Sequence, residues 1–408
     1  MPSFSIALSG LQADSVALST IGNNLANLNT TAFKEQTVNF SDMFYDSIGT
    51  SGANAPLQVG IGTRVSSIES NFTQGSLAST GNTTDMAVNG AGYFVVDQGG
   101  TKQLTRSGNF QLSPTGDLIT SDGYAVQGYP AVNGVVNMDA PLGTLNVPIA
   151  QTQLPHATQN FSLTSSLHSS AATGTQFTAT SPMYDSLGTA HSVNIVFTKT
   201  GASTWGYEVS MPSGDAKTTT GNTGTLTFNS DGTLASPAGD VTGISFGGLS
   251  DGASDMSLDW KLRDSNGNSM VTQSDASSTN NAITQDGYAS GTYKGFAVDT
   301  NGVMTATFSN GGTEVLGQLA IATVSNQQGL ARDGSNLYST TSASGQMNLG
   351  VANSGGRGSI SDSTLEESNI DISTEFANLI VAQRSFEANS KTVTAFDTIT
   401  QDTINMIR

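Results

Sequence analysis

Cysteine is absent from this chain of 408 residues, which excludes disulfides and thiolate metal sites. Basic residues are scarce, with 14 Lys and Arg against 32 Asp and Glu and a formal net charge of −18. Nucleic acid and anionic membrane surfaces are read by clustered cations, so neither is an expected partner. Charged residues of both signs make up only 11% and apolar residues 36%. Proline is thin as well, ten in all with none after Pro237. The longest apolar run, around Phe376 to Ala382, contains Asn378 and falls far short of the roughly 20 residues that span a bilayer, so no membrane insertion is expected. The N-terminus shows no basic region leading into a continuous apolar core, so a cleaved secretory signal is not expected. These absences leave a cytosolic protein or one exported by a route that needs no cleaved signal.

What is present is 46 glycines beside abundant Ser, Thr and Asn, a composition that suits short strands joined by many turns. The length allows two to three domains with cores of their own.

Helical periodicity is confined to the two ends. Phe4, Leu8, Leu11, Ser15, Leu18, Gly22 and Leu25 step by four and three, with Ala7, Ile21 and Leu28 beside the seam. Near the other end, Ile372, Phe376, Leu379, Gln383, Phe386, Ser390 and Val393 do the same, with Ile380 alongside. Around Phe396 the register slips, and Phe396, Ile399, Thr403 and Met406 continue it as an inserted stutter would. Asp14 is the only ionisable side chain between Ser3 and Leu28, whereas a solvated helix face normally carries Lys and Glu. The expectation is that the two terminal helices pair with each other and then with copies from sister chains, through Phe4, Leu8, Leu11, Leu18, Ile21, Leu25, Ile372, Phe376, Leu379, Ile380, Phe386, Val393, Phe396 and Ile399.

Between the ends the period is two. The Asn-rich stretch after Asn23 should end the first helix near Asn27 to Asn29, and Gly49 to Gly62 reads as a mobile loop. Strands and hairpins follow: Thr63 to Asn71, Tyr93 to Val96, Phe110 to Ile119 around Ser113-Pro114-Thr115-Gly116-Asp117, and Gly123 to Pro130. Val193 to Phe197 should pair with Trp205 to Val209, and Leu226 to Leu234 should fold around Asn229-Ser230-Asp231-Gly232. Leu316 to Val324 reads as one strong strand. The fold class is therefore α+β, mainly β: a discontinuous, coiled-coil-like terminal helical pair with two β-rich domains, the outer inserted in the inner. The boundaries are 1–28 and 366–408 for the helical assembly domain, 29–62 for a connector, 63–146 and 294–365 for the inner β domain and 147–293 for the outer one.

Chemistry is sparse. Asp185, Ser186 and His191 are hydrolase residue types, but they lie within seven residues and lack a nucleophile-elbow context, so no catalytic site is expected. His156 and His168 are scattered, and Asp264-Ser265-Asn266-Gly267-Asn268 has its Gly two places early for a calcium loop, so neither a metal nor a cofactor is expected. Lys34 and Arg106 read as interface salt-bridge donors, and Trp205 and Trp260 as core residues of the outer domain.

Ala26-Asn27, Thr30, Phe33 and Lys34 together resemble the N-terminal signature of the bacterial flagellar axial proteins. Leu365 to Asp371, which includes Asn369, with Glu375, Ile380 to Arg384 (Gln383 and Arg384 among them) and Asn389, is similar to that family's C-terminal signature. Asn89 to Phe94 and Arg106 to Phe110 match its central one, and Tyr184 to Gly188 with His191 looks like a segment of the hook outer domain. The large insertion favours the hook branch over the rod branch. One position departs: Ala32 stands where the family usually has Gly, so the turn before Phe33 is either built differently or never needed positive φ. The resemblance implies a non-enzymatic structural polymer, a curved hollow tube that links rod to filament and transmits torque as a universal joint. It implies self-association, rod, hook-cap and hook-filament junction partners, a type III export apparatus and an extracellular location in the flagellum. The alternatives are a distal-rod protein or, from another class, a secreted β-rich adhesin or binding module, with a secreted hydrolase third.

Overall fold

The structure is a computed structural model that describes residues 2–50, 56–132 and 134–406. It is mainly β, and among the described residues the α-helices stand only at the ends: α1 (Pro2–Ala26) and α2 (Ile372–Met406). By Cα proximity the chain divides into two compact units. Unit 1 holds 1–148, 296–306 and 314–408, and unit 2 holds 149–295 and 307–313.

In unit 1, α1 ends at Ala26, just before the Asn and Thr residues whose side chains compete for its backbone, and the Thr30 hydroxyl donates to Asn27 Oδ1 at 3.0 Å. The chain then enters Gln36–Asp42, which pairs antiparallel with Thr63–Ser70 through a bulge between Asn39 and Phe40. The segment expected as a mobile loop is instead largely a hairpin, with Tyr45–Thr50 antiparallel to Pro56–Gly60. Residues 51–55 lie outside the described residues.

The strands of 63–146 are completed by strands from far along the chain. Phe94 faces Ile321, Gly128 faces Leu319 and Leu104 faces Tyr338. Ser359–Asp362 lies on Met86–Asn89, and Thr364–Glu366 lies on Leu77–Ser79. The stretch expected as one strand from Leu316 to Val324 is two, Thr313–Leu319 and Ile321–Thr323, which pair with different neighbours on either side of Ala320. Residues 366–371, grouped by pattern with the last helix, end a strand and lead into α2 at Ile372.

Gly108 shows why a side chain is missing at one point of this packing. A Cβ there would stand 1.6 Å from the Met86 carbonyl oxygen, so two backbones meet where no other residue fits.

Unit 2 is built on two sheets. One is antiparallel and runs through Gln176–Tyr184, Ala190–Gly201, Thr204–Ser210, Thr223–Phe228 and Leu234–Ser236. The other is mixed and centred on Asn160–His168, which is parallel to Met256–Lys261 and Val271–Ser274 and antiparallel to Thr279–Gln285. Along Ala190–Gly201 buried and open positions alternate, so His191, Val193, Ile195, Phe197 and Lys199 point inward. Trp205 and Trp260 are both fully buried in this core, as their sequence context led us to expect, and Trp260 stacks on Phe161 at 5.8 Å.

Candidate assembly surface

The two terminal helices pack side by side and run antiparallel. Asn24 Nδ2 donates to Glu375 Oε1 at 3.4 Å near one end, and Asn389 Nδ2 donates to Asp14 Oδ2 at 2.8 Å further along. The side chains that face inward are the expected ones only in part. On α1 the buried residues are Ala7, Ala13, Thr20 and Asn24, and a Cβ on Gly10 would meet the Asn389 amide at 2.7 Å. Small residues let the helices approach closely, and this small-residue stripe is rotated away from the larger apolar one.

On α2 the buried or half-buried positions are Glu375, Leu379, Ala382, Asn389, Ser390, Val393, Phe396 and Thr400, and from Asn389 through Val393 and Phe396 to Thr400 they keep a four-three spacing past Phe396. The expected stutter is therefore absent from the seam that faces α1. Of the residues assigned to assembly, Leu11, Leu18, Ile21, Leu25, Leu379, Val393 and Phe396 are half-buried. Phe4, Leu8, Ile372, Phe376, Ile380, Phe386 and Ile399 stay exposed, Ile380 and Ile399 at 59% each. Val381 joins them at 69%, a residue that periodicity alone left off the stripe. An exposed apolar row of this length on a paired helix is unusual for a finished surface.

At the foot of the helices, Glu375 is buried beside Glu35, with Asn24 donating to both Glu375 and the Gln36 carbonyl. Burial, and then the hydrogen bond and charge of Glu35, raise the Glu375 carboxyl above its ordinary pKa, while the Asn24 amide pulls the other way.

The signature residues gather just beyond. Lys34 Nζ lies 2.5 Å from Glu366 Oε1, and Arg106 Nε lies 3.0 Å from Glu366 Oε2. All three side chains are buried, so Lys34 and Arg106 are not interface donors; they pair within the chain. Their remaining donors reach main-chain oxygens, Lys34 to Thr73 at 2.7 Å and Arg106 to Gly90 and Gly92 at 2.8 and 2.7 Å. Burial lowers the Lys34 pKa, and Glu366 works against that shift. Asn369 accepts the Glu35 N–H at 2.8 Å and donates to the Asn71 carbonyl at 2.8 Å. Phe33 is buried with the Arg332 guanidinium over its ring at 5.6 Å. Gln383 and Arg384 are exposed on α2.

Ala32 settles the question its position raised. It adopts φ 58°, so the turn requires the left-handed conformation that glycine takes without penalty, and here an alanine holds it. The Ala32 N–H donates to the Glu366 carbonyl at 2.8 Å, which locks the turn to the returning chain. The importance of Glu366 was not visible in sequence, since nothing local marks which acid will meet two distant cations.

In unit 2, Asp185 and His191 are hydrogen bonded at 3.0 Å. The Ser186 hydroxyl instead accepts the Ser254 N–H at 3.0 Å. His156 stacks on Tyr288 at 5.5 Å, and His168 ends the central strand. Asp264 binds its own turn, accepting from the backbone of Asn266 and Asn268 at 2.9 and 2.8 Å, as an Asx turn does.

A terminal helical pair closed over a β body, with signature residues from both ends fastened to one joint, defines a structural protein of the flagellar axial class. Four families match in chain order: the flagella basal body rod protein over 4–34, the flagellar hook protein FlgE/F/G D1 domain over 87–166, the flagellar basal body protein FlaE D2 domain over 154–288, and the flagellar basal body rod FlgEFG protein C-terminal over 361–406. The flagellar hook protein FlgE of Escherichia coli K12 is 34% identical over 99% of both chains. That of Salmonella typhimurium is 33% identical over 99% of this chain and all of its own, and that of Treponema pallidum 31% identical over the whole of both. The crystal structure of Helicobacter pylori FlgE2 shares the fold, with a TM-score of 0.55 and 16% identity over 71% of this chain and all of that one. The chain belongs to the flagellar hook protein FlgE family and is a structural subunit of the bacterial hook.

Proposed function

We propose that this subunit polymerises through its terminal helices into a helical, curved and hollow tube that links rod to filament and transmits torque as a universal joint. One observation carries the reading: α1 and α2 approach closely where Gly10 lies against Asn389, half-bury Leu379, Val393 and Phe396, and leave Phe4, Leu8, Ile372, Phe376, Ile380, Phe386 and Ile399 facing outward. Full burial of such a side chain is worth about 1.5 to 3 kcal/mol, so the exposed fraction of seven gives sister chains a substantial drive to cover them. In α2 only Glu375 and Ala382 are buried among its 35 residues, which leaves the helix dependent on neighbours for much of its stability. The helices then order fully as copies add, which is coupled folding and assembly.

In this reading 1–28 with 366–408 form the assembly domain, 29–62 the connector, and 63–146 with 294–365 the inner tube wall. The segment 147–293 is the outer layer, whose polar contacts slide as the tube turns. The subunit is not an enzyme. It leaves the cell through a type III apparatus without a cleaved signal, becomes extracellular, and meets rod, cap and hook-filament junction proteins. Electron microscopy of the concentrated protein tests this. Wild type forms curved tubes, and a Phe376→Glu and Ile380→Glu double variant stays monomeric with its β structure intact. Tubes from the double variant would refute the assignment. Deletion of 147–293 should change curvature and leave straight tubes.

A further inference from the structure

One cluster in unit 2 joins a buried imidazole to three carboxylates. His191 is 5% exposed, and its Nε2 lies 3.0 Å from Asp185 Oδ2 and 3.8 Å from Asp251 Oδ2. Its Nδ1 lies 3.6 Å from Asp215 Oδ2. Asp185 is fully buried and held in place, since its other oxygen accepts the N–H groups of Leu187 and Thr189 at 2.8 and 2.9 Å. Two further loops close on this turn. The Ser254 N–H reaches Ser186 Oγ at 3.0 Å, and the Ser250 N–H reaches the Asp215 carbonyl at 2.9 Å.

The charge of this cluster is not balanced. Among the described residues, no Lys or Arg lies within 4.0 Å of a carboxylate oxygen of Asp185, Asp215 or Asp251. Three carboxylates and one protonated imidazole leave two negative charges, and a neutral imidazole leaves three. Asp185 is withdrawn from water and needs a positive partner, while the half-buried Asp215 and the exposed Asp251 add to the negative charge around it.

The histidine is also oriented. Without a metal, Nε2–H donates to Asp185 Oδ2; once a bound cation displaces that proton, the Nδ1–H stays turned toward Asp215, the arrangement in which a carboxylate fixes the tautomer of a metal-binding imidazole. We propose that His191 Nε2, Asp185 Oδ2 and Asp251 Oδ2 bind one divalent transition-metal cation, with Asp215 as the positioning carboxylate.

The three ligand atoms lie within 4.8 Å of one another, so a small inward movement of Asp251, the more exposed of the two acids, brings all three to the roughly 2.0 to 2.2 Å that zinc-type ions require. One nitrogen and two oxygens without thiolate suit Zn²⁺ or Mn²⁺ better than Ca²⁺, which prefers oxygen alone. Water fills the remaining positions. The ion staples the 185–191, 212–216 and 249–254 segments together at one end of the sandwich.

The test is equilibrium dialysis of the full-length, chelator-treated protein against ZnCl₂ and, separately, MnCl₂, with the melt of unit 2 followed by the fluorescence of Trp205 and Trp260. One equivalent binds to wild type and raises the melting midpoint. Asp251→Asn, at the rim of the cluster, folds and loses most of the affinity, while Asp215→Asn weakens it about 10- to 100-fold. His156→Gln and His168→Gln bind as wild type does. The proposal is overturned by no saturable binding below about 1 mM, by binding that Asp251→Asn and Asp215→Asn leave unchanged, or by binding that disappears with His156 or His168. Absence of binding would mean that an imidazolium alone serves the carboxylates.

Discussion

Replacing Glu366 by Gln removes one negative charge from a site that buries two positive ones. Lys34 is 1% exposed, Glu366 0% and Arg106 6% at the side chain, so none of the three can turn to water without opening the joint between the termini and the β body. Removing one partner of a buried ion pair costs about 3 to 5 kcal/mol, because the other is left desolvated and unpaired. Here two cations are left. For a unit of this size 1 kcal/mol corresponds to roughly 2 to 4 °C, which gives a fall of about 6 to 20 °C in the melting of unit 1.

Lys34→Met is the informative control. It leaves Arg106 and Glu366 as a neutral pair and removes the cation whose burial lowers its own pKa, so it should cost only about 1 to 2 kcal/mol for the lost hydrogen bonds. Ellipticity at 222 nm follows the two helices of unit 1, whereas both tryptophans belong to unit 2 and report that unit alone. The expected result is an early loss of ellipticity in Glu366→Gln, a much smaller shift in Lys34→Met, and an unchanged fluorescence transition in both. Equal shifts in the two variants, or a Glu366→Gln melt within a degree or so of wild type, would refute the charge argument.

Ala32→Gly should raise the stability of unit 1 by up to about 1 kcal/mol, since relief at φ 58° exceeds the loss of one methyl; a lower melting temperature would contradict this. Glu375 has its pKa raised in the folded chain, so its contribution is fully present below the ordinary value of 4.5 and is lost as pH rises through the folded value. Helix ellipticity of the monomer should therefore weaken on going from pH 4 to neutrality, and Glu375→Gln should flatten that dependence. Gly108→Ala should cost at least about 2 kcal/mol in a denaturant titration, because the added methyl meets the Met86 carbonyl rather than a side chain that can move aside.

Local pattern was enough to place the helices and some of the strands, but not such long ones as Asn160–His168 and Gln176–Tyr184. A period of 3.6 at Ser3 to Leu28 and beyond Ile372, with no proline to interrupt it, allows little but helix, and turns such as Asn229-Ser230-Asp231-Gly232 announce hairpins by their own hydrogen bonding, with Gly232 donating to Asn229 at 3.0 Å. Composition also foretold the buried tryptophans of unit 2. Which stripe of each helix would be covered lay beyond it. Apolar side chains on α1 span a wide arc, and four-three spacing is met both by Phe4, Leu8 and Leu11 and, one step round, by Ala7, Gly10 and Asp14. Only the close approach permitted by small residues, read from both helices at once, selects the second.

The same holds for charge. Glu366 became the partner of Lys34 and Arg106, and Asp215 and Asp251 converged on His191, because the chain returns on itself over long separations. Near-neighbour patterning fixes the local backbone, since it acts through torsion angles and adjacent hydrogen bonds. Partners brought together across tens or hundreds of residues are decided by packing, where burial makes each unpaired charge too costly to leave alone.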